Sequence, residues 1–177
     1  MERIRGDNAS FGLGLFAFLI AGHQCFAQEA TVTGVRITWY GSYNPAQTVL
    51  LQDPSSTTGK RRISSGIVPP ARNTDQIPFH RDVRFGFGFE LLGDQPNALV
   101  NLRYVTKVPA PGIVDPKTRR RKTLIEEIYP NLAISQKDLF CGEYLGDYKN
   151  PPAGLWTLQV WDDDRLLAEK SFTLSYH

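Results

Sequence analysis

Three consecutive aspartates, Asp162, Asp163 and Asp164, lie between two apolar runs near the end of the chain. Carboxylates placed this closely could form a metal site or a catalytic site. A calcium ion, however, needs several oxygen ligands that converge around a glycine-assisted loop, whereas successive side chains of an extended backbone point to opposite faces. Aspartate also tolerates the left-handed backbone of tight turns. The triple therefore favours a hairpin turn over a metal site.

A cysteine and a histidine are the other residues that could support catalysis. A cysteine enzyme needs its thiolate beside an imidazole that a third polar group orients, and the candidates are Cys141 with His80 or the C-terminal His177. No Gly-x-Ser-x-Gly turn is present for a serine enzyme. Cys141 alternates in phase with Leu139, which favours an inert thiol in the core. We predict no catalytic residue, no metal and no cofactor, with a cysteine-dependent hydrolase as an alternative function.

One basic run could bind anions, and its members are Lys117, Arg119, Arg120, Arg121 and Lys122. A dense group of cations can hold phosphate or other anionic groups of a cell envelope, although basic loops that cap hairpins are usually only solvated. No aromatic side chains are interleaved for base stacking, so we do not expect nucleic acid as a partner. These residues are the candidates for an anion-binding accessory role.

Two glycines alternate with phenylalanines in the stretch FGFGF at residues 85–89. The phenylalanines can fill a core, while Gly86 and Gly88 leave a strip of backbone without side chains on the opposite face. Such a strip permits close approach of a ligand or of another segment. The sequence leaves two interpretations open: coverage by residues 44–80 of the same chain, or a shallow binding groove at Gly86 and Gly88.

The first 27 residues have the features of a secretory signal. Arg3 and Arg5 precede an apolar run at residues 11–21, and Cys25 and Ala27 supply the small residues that a signal peptidase reads. At about 1.5 Å per residue this run is shorter than the ~30 Å hydrocarbon core of a bilayer. We predict cleavage after Ala27, a periplasmic or secreted location, and no stable membrane span in the mature protein.

The rest of the chain, residues 28–177, is expected to form one domain built from strands. Apolar and polar residues alternate with a period of two in five segments, which begin at Val35, Phe85, Val100, Trp156 and Leu166. Weaker strands are expected at residues 48–52, 61–67, 123–128 and 139–144, and the irregular segment 44–80 is expected to be a hairpin. A short helix near residues 135–139 is an open alternative. About seven to nine strands separated by Gly, Pro, Asn and Asp clusters predict an antiparallel β-sandwich.

Several motifs resemble immunoglobulin-like bacterial domains. The stretches PAGLWTLQV at residues 152–160 and LAEKSFTL at residues 167–174 look like the final hairpin of that fold. Together with ITWYGSY at residues 37–43 and FGFG at residues 85–88, they make the mature chain similar to a family of exported bacterial proteins of unknown function. The resemblance implies an immunoglobulin-like sandwich and names no active site.

A well-patterned sandwich without a catalytic constellation predicts a non-enzymatic function. We expect an exported module that binds a protein, peptide or glycan of the cell envelope through its loops or an exposed sheet face. The net charge of +2 is too small to indicate a partner by itself.

Overall fold

Strands make up nearly all of the regular structure in a computed structural model, which describes residues 30–54, 56, 59–115 and 118–176. The predicted signal at residues 1–27, Lys117 and His177 lie outside the described residues. All nine predicted strands are present. Their bounds are β1 Val32–Ser42, β2 Asn44–Gln52, β3 Lys60–Val68, β5 Arg84–Gly93, β6 Leu99–Lys107, β9 Leu124–Ala133, β10 Leu139–Tyr144, β11 Gly154–Asp162 and β12 Arg165–Ser175.

Three short strands were not predicted, because a period of two needs more residues than they contain. They are β4 Gln76–Pro78, β7 Ile113–Val114 and β8 Arg121–Lys122. The helix considered near residues 135–139 is wrong. Ser135 and Asp138 have φ angles of 66° and 63°, which are incompatible with a right-handed helix. One turn of 3₁₀ helix instead follows β10, at Leu145–Asp147. In the part of the chain that the structure describes, no helix has the length and apolarity needed to cross a membrane.

Two sheets face each other. One has the order β1-β5-β10 and the other the order β4-β12-β11-β6-β9. Their pairs are antiparallel, except that β4 runs parallel to β12. The chain therefore leaves the first sheet after β1 and enters the second at β4. Between these strands, β2 and β3 pair only with each other and form the expected hairpin.

The core lies between the two sheets. Phe85, Phe87 and Phe89 of β5 have no exposed surface and face the second sheet. The Phe85 ring meets Trp156 and Phe172 edge-on, with centroid separations of 5.8 and 5.4 Å. Alternation along β5 thus places every second side chain in one apolar layer, which confirms the predicted sandwich.

The acidic triple forms the predicted turn. Asp162 ends β11, Arg165 begins β12, and Asp163 between them has a left-handed φ of 49°. Asp162 accepts a hydrogen bond from the Arg165 guanidinium at 2.8 Å. Among the described residues, no three His, Cys, Asp or Glu side chains form a metal-binding group.

Two leucines on β11 test the position of the core. Leu158 is fully buried and Leu155 is 58% exposed. We expect Leu158→Ala to lower the free energy of unfolding by about 2–5 kcal/mol, because it removes buried contacts and leaves a cavity. Leu155→Ala, the matched control, should change it by less than about 0.5 kcal/mol. Urea unfolding measures both values, and equal effects would place the core elsewhere.

Candidate functional site

The basic run lies in a small hairpin formed by β7 and β8, as expected. Lys122 Nζ is 2.6 Å from a carboxylate oxygen of Asp115, which is 2% exposed. Arg121 donates to the carbonyl of Gly112 at 3.0 Å. These two cations therefore hold the hairpin together.

The other cations of the run differ in placement. Arg119 and Arg120 are exposed in the turn between β7 and β8. Arg119 has a left-handed φ of 60°. Lys117 lies outside the described residues. The structure thus brings three described arginines, Arg119, Arg120 and Arg121, to the surface, and anion binding stays a prediction.

Gly86 and Gly88 are buried rather than open. A Cβ atom on Gly88 would lie 2.0 Å from the indole Nε1 of Trp39, and one on Gly86 would lie 2.3 Å from the carbonyl oxygen of Cys141. Trp39 of β1 covers Gly88, where coverage by residues 44–80 was expected, and the atoms nearest to Gly86 are backbone atoms of the paired strand β10. A ligand would have to displace these groups to reach the backbone strip, and the predicted role of the two glycines stays untested.

Cys141 lies in the core, as the alternation predicts, and it also lines a cavity between β9 and β10. It is 2% exposed, and its Sγ lies 4.0 Å from the carbonyl oxygen of Gln159. Burial raises the pKa of the Cys141 thiol well above its ordinary value. His80 is exposed in the connection between β4 and β5. A protonated, enclosed thiol is a poor nucleophile.

A cavity of about 510 Å³ is the main feature that the sequence did not predict. It opens along one side of the sandwich, between β10 at the edge of the first sheet and β9 at the edge of the second. These edges are not hydrogen-bonded to each other, and β3 of the hairpin covers the gap. The cavity wall combines apolar residues with tyrosines and carboxylates. Its hydroxyl, aromatic and acidic lining residues include Tyr43, Tyr104, Thr106, Glu127, Tyr129, Glu143, Tyr144, Asp147 and Tyr148.

Glu143 of β10 lies on the cavity wall and is held by two hydroxyl groups. Thr106 Oγ1 donates to one carboxylate oxygen at 2.6 Å, and Tyr148 Oη donates to the other at 2.5 Å. Burial raises the pKa of Glu143 to about 7, and the neighbouring carboxylates Glu127 and Asp147 add to the shift. The two hydrogen bonds lower the pKa but do not offset the burial.

Glu127 of β9 is a second carboxylate on the same wall. It accepts a hydrogen bond from Tyr129 Oη at 3.0 Å. The Tyr129 ring stacks on Tyr104 with a centroid separation of 4.2 Å. Burial raises the pKa of Glu127, and the positive charge of Arg61 lowers it by less. The cavity therefore places two half-buried carboxyl groups beside aromatic rings.

Two arginines of β3 connect the hairpin to the sandwich. Arg62 donates to both oxygens of Asp147, at 3.0 and 2.5 Å, and its guanidinium lies 4.6 Å from the centre of the Tyr144 ring. Arg61 pairs with Asp53 inside the hairpin at 2.8 Å and lies over the Tyr129 ring. The Arg62 pair is bidentate, which fixes the orientation of the hairpin over the cavity.

The alternation of apolar and polar residues along β9 and β10 is the one sequence signal that could have identified Glu127 and Glu143 as inward-facing. Glu143 is in phase with the buried Leu139 and Cys141, and Glu127 is in phase with the buried Ile125. Charged residues at inward positions of predicted strands are rarely buried without a partner. Such positions mark candidate sites even when no motif is present.

The bidentate pair predicts that Asp147→Asn loosens the hairpin. Losing the charge weakens the hold on Arg62, so amide hydrogen exchange in β2 and β3 should become faster while exchange in β5 and β11 stays slow. Asp75→Asn is the control, because Asp75 pairs with Lys170 elsewhere and is largely exposed. Unchanged exchange in the hairpin of the Asp147 variant would show that the Arg62 pair does not hold it.

Comparison with known proteins supports the fold and leaves the family open. No known family profile matches the chain, and no curated protein does either. A crystal structure of an immunoglobulin-like protein from Pseudomonas aeruginosa is similar, with a TM-score of 0.51 and 22% identity, over 80% of this chain and 96% of that chain. At this identity the likeness shows the fold alone. The chain is an immunoglobulin-like β-sandwich, which confirms the predicted fold class.

Proposed function

We propose that this protein is a non-enzymatic binding module that encloses a small organic ligand beneath the β2–β3 hairpin. The cavity carries this proposal, because its volume of about 510 Å³ falls in the range of small-molecule sites, about 300–1,000 Å³. Its wall also has the composition of such sites, with aromatic and apolar surface and a few convergent polar groups. The broader expectation of an envelope protein, peptide or glycan as partner stays a prediction.

Binding fits the arrangement better than catalysis does. The thiol of Cys141 is buried with a raised pKa, and its Sγ lies near a backbone carbonyl. Each oxygen of Glu143 accepts a hydrogen bond from a neighbouring hydroxyl group, so this carboxyl group is held in place. Fixed polar groups in a preformed cavity orient a ligand without needing to exchange protons with it.

A wall residue of the hairpin tests the proposal without disturbing the sandwich. Ser64 on β3 faces the cavity, and its neighbour Ser65 is exposed. We expect amide signals at Glu127 and Glu143 to shift in NMR spectra when the protein is screened with neutral sugars, amino-acid amides, carboxylic acids and alkylamines. Ser64→Trp should abolish the shifts by filling the cavity, and Ser65→Trp should keep them.

Two outcomes of this screen would contradict the proposal. One is that no fragment shifts the cavity signals. The other is that the Ser64→Trp protein, with an unchanged spectrum in the sandwich, responds as the unsubstituted protein does.

We also propose that the protein acts outside the cytoplasm, on the basis of the signal-like residues 1–27. Intact mass of the protein recovered from a bacterial envelope or medium fraction should correspond to a chain that begins at Gln28. Ala27→Leu should block cleavage, because the peptidase reads small residues there, and Ala30→Leu should not. A full-length protein that stays in the cytoplasm would contradict export.

A further inference from the structure

We propose that the cavity selects an organic cation, a small molecule with a protonated primary amine that Glu143 and Glu127 hold against the tyrosine rings. This inference rests on the proposed function and deepens it by naming the ligand class. It depends on three features of the cavity: the charge balance of its wall, the hydrogen-bonding capacity left on the carboxylates, and the aromatic surface beside them.

The charge balance of the wall favours a positive ligand. Glu143 accepts only hydroxyl hydrogen bonds among the described residues, and Glu127 accepts one from Tyr129. Lys60, Arg61 and Arg62 also line the cavity. Arg62 pairs with Asp147, and Arg61 pairs with Asp53 and lowers the pKa of Glu127. Glu143 has no cation among the groups that shift its pKa. Because a carboxylate taken out of water is costly without a compensating charge, a cation beside Glu143 would stabilise its ionised form.

The carboxylates retain acceptor capacity that suits an ammonium group. An ionised carboxylate has about four acceptor positions. Each oxygen of Glu143 accepts one hydrogen bond, one from Thr106 and the other from Tyr148. An ammonium group carries three donors and no acceptor. It therefore complements Glu143, whereas the carboxylate of an acidic ligand would be repelled by both glutamates.

Aromatic rings provide the second part of the recognition. The stacked pair of Tyr104 and Tyr129 lies on the same wall as Glu127, and Tyr43 and Tyr148 flank Glu143. Ring faces attract cations within about 6 Å of the centroid. The Arg61 guanidinium already lies 5.2 Å from the centre of the Tyr129 ring. The Tyr129 ring therefore already holds a cation of the chain, and the rings beside Glu143, Tyr43 and Tyr148, are the ones we expect a ligand to contact.

Binding of a cation should depend on pH through Glu143. The charged and titratable groups around it are Glu127 on β9, Cys141 on β10, Asp147 and Tyr148 after β10, Tyr43 before β2, Arg62 on β3 and Arg84 on β5. The pKa of Glu143 is about 7 in the free protein. A cation favours the ionised form, so binding should lower this pKa, release protons below pH 7 and strengthen as the pH rises.

Isothermal titration calorimetry of the mature protein with 1,4-diaminobutane tests the inference, with n-butanol and butyrate as neutral and anionic comparisons. We expect binding of the diamine only, with affinity rising about tenfold between pH 6 and pH 8 as Glu143 ionises. Nα-acetyl-lysine amide, whose amine belongs to a lysine side chain, is the second probe. It tests whether the cavity binds lysine in a peptide as well as a free small amine. Binding of either probe supports the inference.

Matched variants identify the carboxylates. Glu143→Gln should weaken diamine binding more than tenfold and remove the pH dependence, and Glu127→Gln should weaken it while keeping the dependence. Glu126→Gln is the control, because Glu126 is exposed and pairs with Arg103. Thermal unfolding of each variant establishes that it is folded. If the Glu143→Gln protein does not fold, the loss of affinity in the Glu127→Gln protein still tests whether the carboxylates bind the amine.

The outcomes separate the inference from the proposed function. If sugars or acids shift the cavity signals and no amine binds, the ligand class is wrong and the binding module remains. Diamine affinity that is insensitive to both glutamine variants also overturns the inference. If no fragment binds in the cavity, the proposed function is wrong as well.

Discussion

The burial of one apolar layer between two sheets is the constraint on which the rest of the structure depends. Phe85, Phe87 and Phe89 pack against Trp156 and Phe172, and packed sheets stand about 10 Å apart. At one side of the sandwich, β9 and β10 end the two sheets without pairing with each other. The cavity is therefore a consequence of the core, and its position does not depend on a special sequence motif.

The hairpin partly covers this open side and adds β3 to the wall of the cavity. It is inserted where the chain passes from β1 in one sheet to β4 in the other, so it can extend across the gap without interrupting either sheet. Among the described residues, no backbone ladder joins it to the sandwich, and Arg62 holds it through Asp147 and Tyr144. Elements held by few side-chain contacts open more readily than core strands, which gives a ligand a path into the cavity.

Local alternation predicts the strands well because each strand buries one face, and β10 begins and ends at the residues that the sequence indicates. The cavity has no comparable local signal, because it depends on two edges that are distant in the sequence. Gly88 is another example of a feature that local alternation does not predict. Alternation identifies a strand face without side chains, but only the folded chain shows that Trp39 covers Gly88. The basic run and the acidic triple are the most conspicuous sequences, and they form turns, whereas the glutamates at inward positions form the site.

Both proposals about the cavity depend on the position of Glu143 in a poorly hydrated space between the sheets. The ionisation of the Glu143 side chain measures how freely water reaches it. A ¹³C NMR titration of the glutamate side-chain carboxyl signals, with Glu143 assigned from the Gln variant, measures its pKa in the ligand-free protein. The structure predicts a value of about 7. A value near the ordinary 4.5 would mean that water reaches this carboxyl group freely and would contradict the enclosed site.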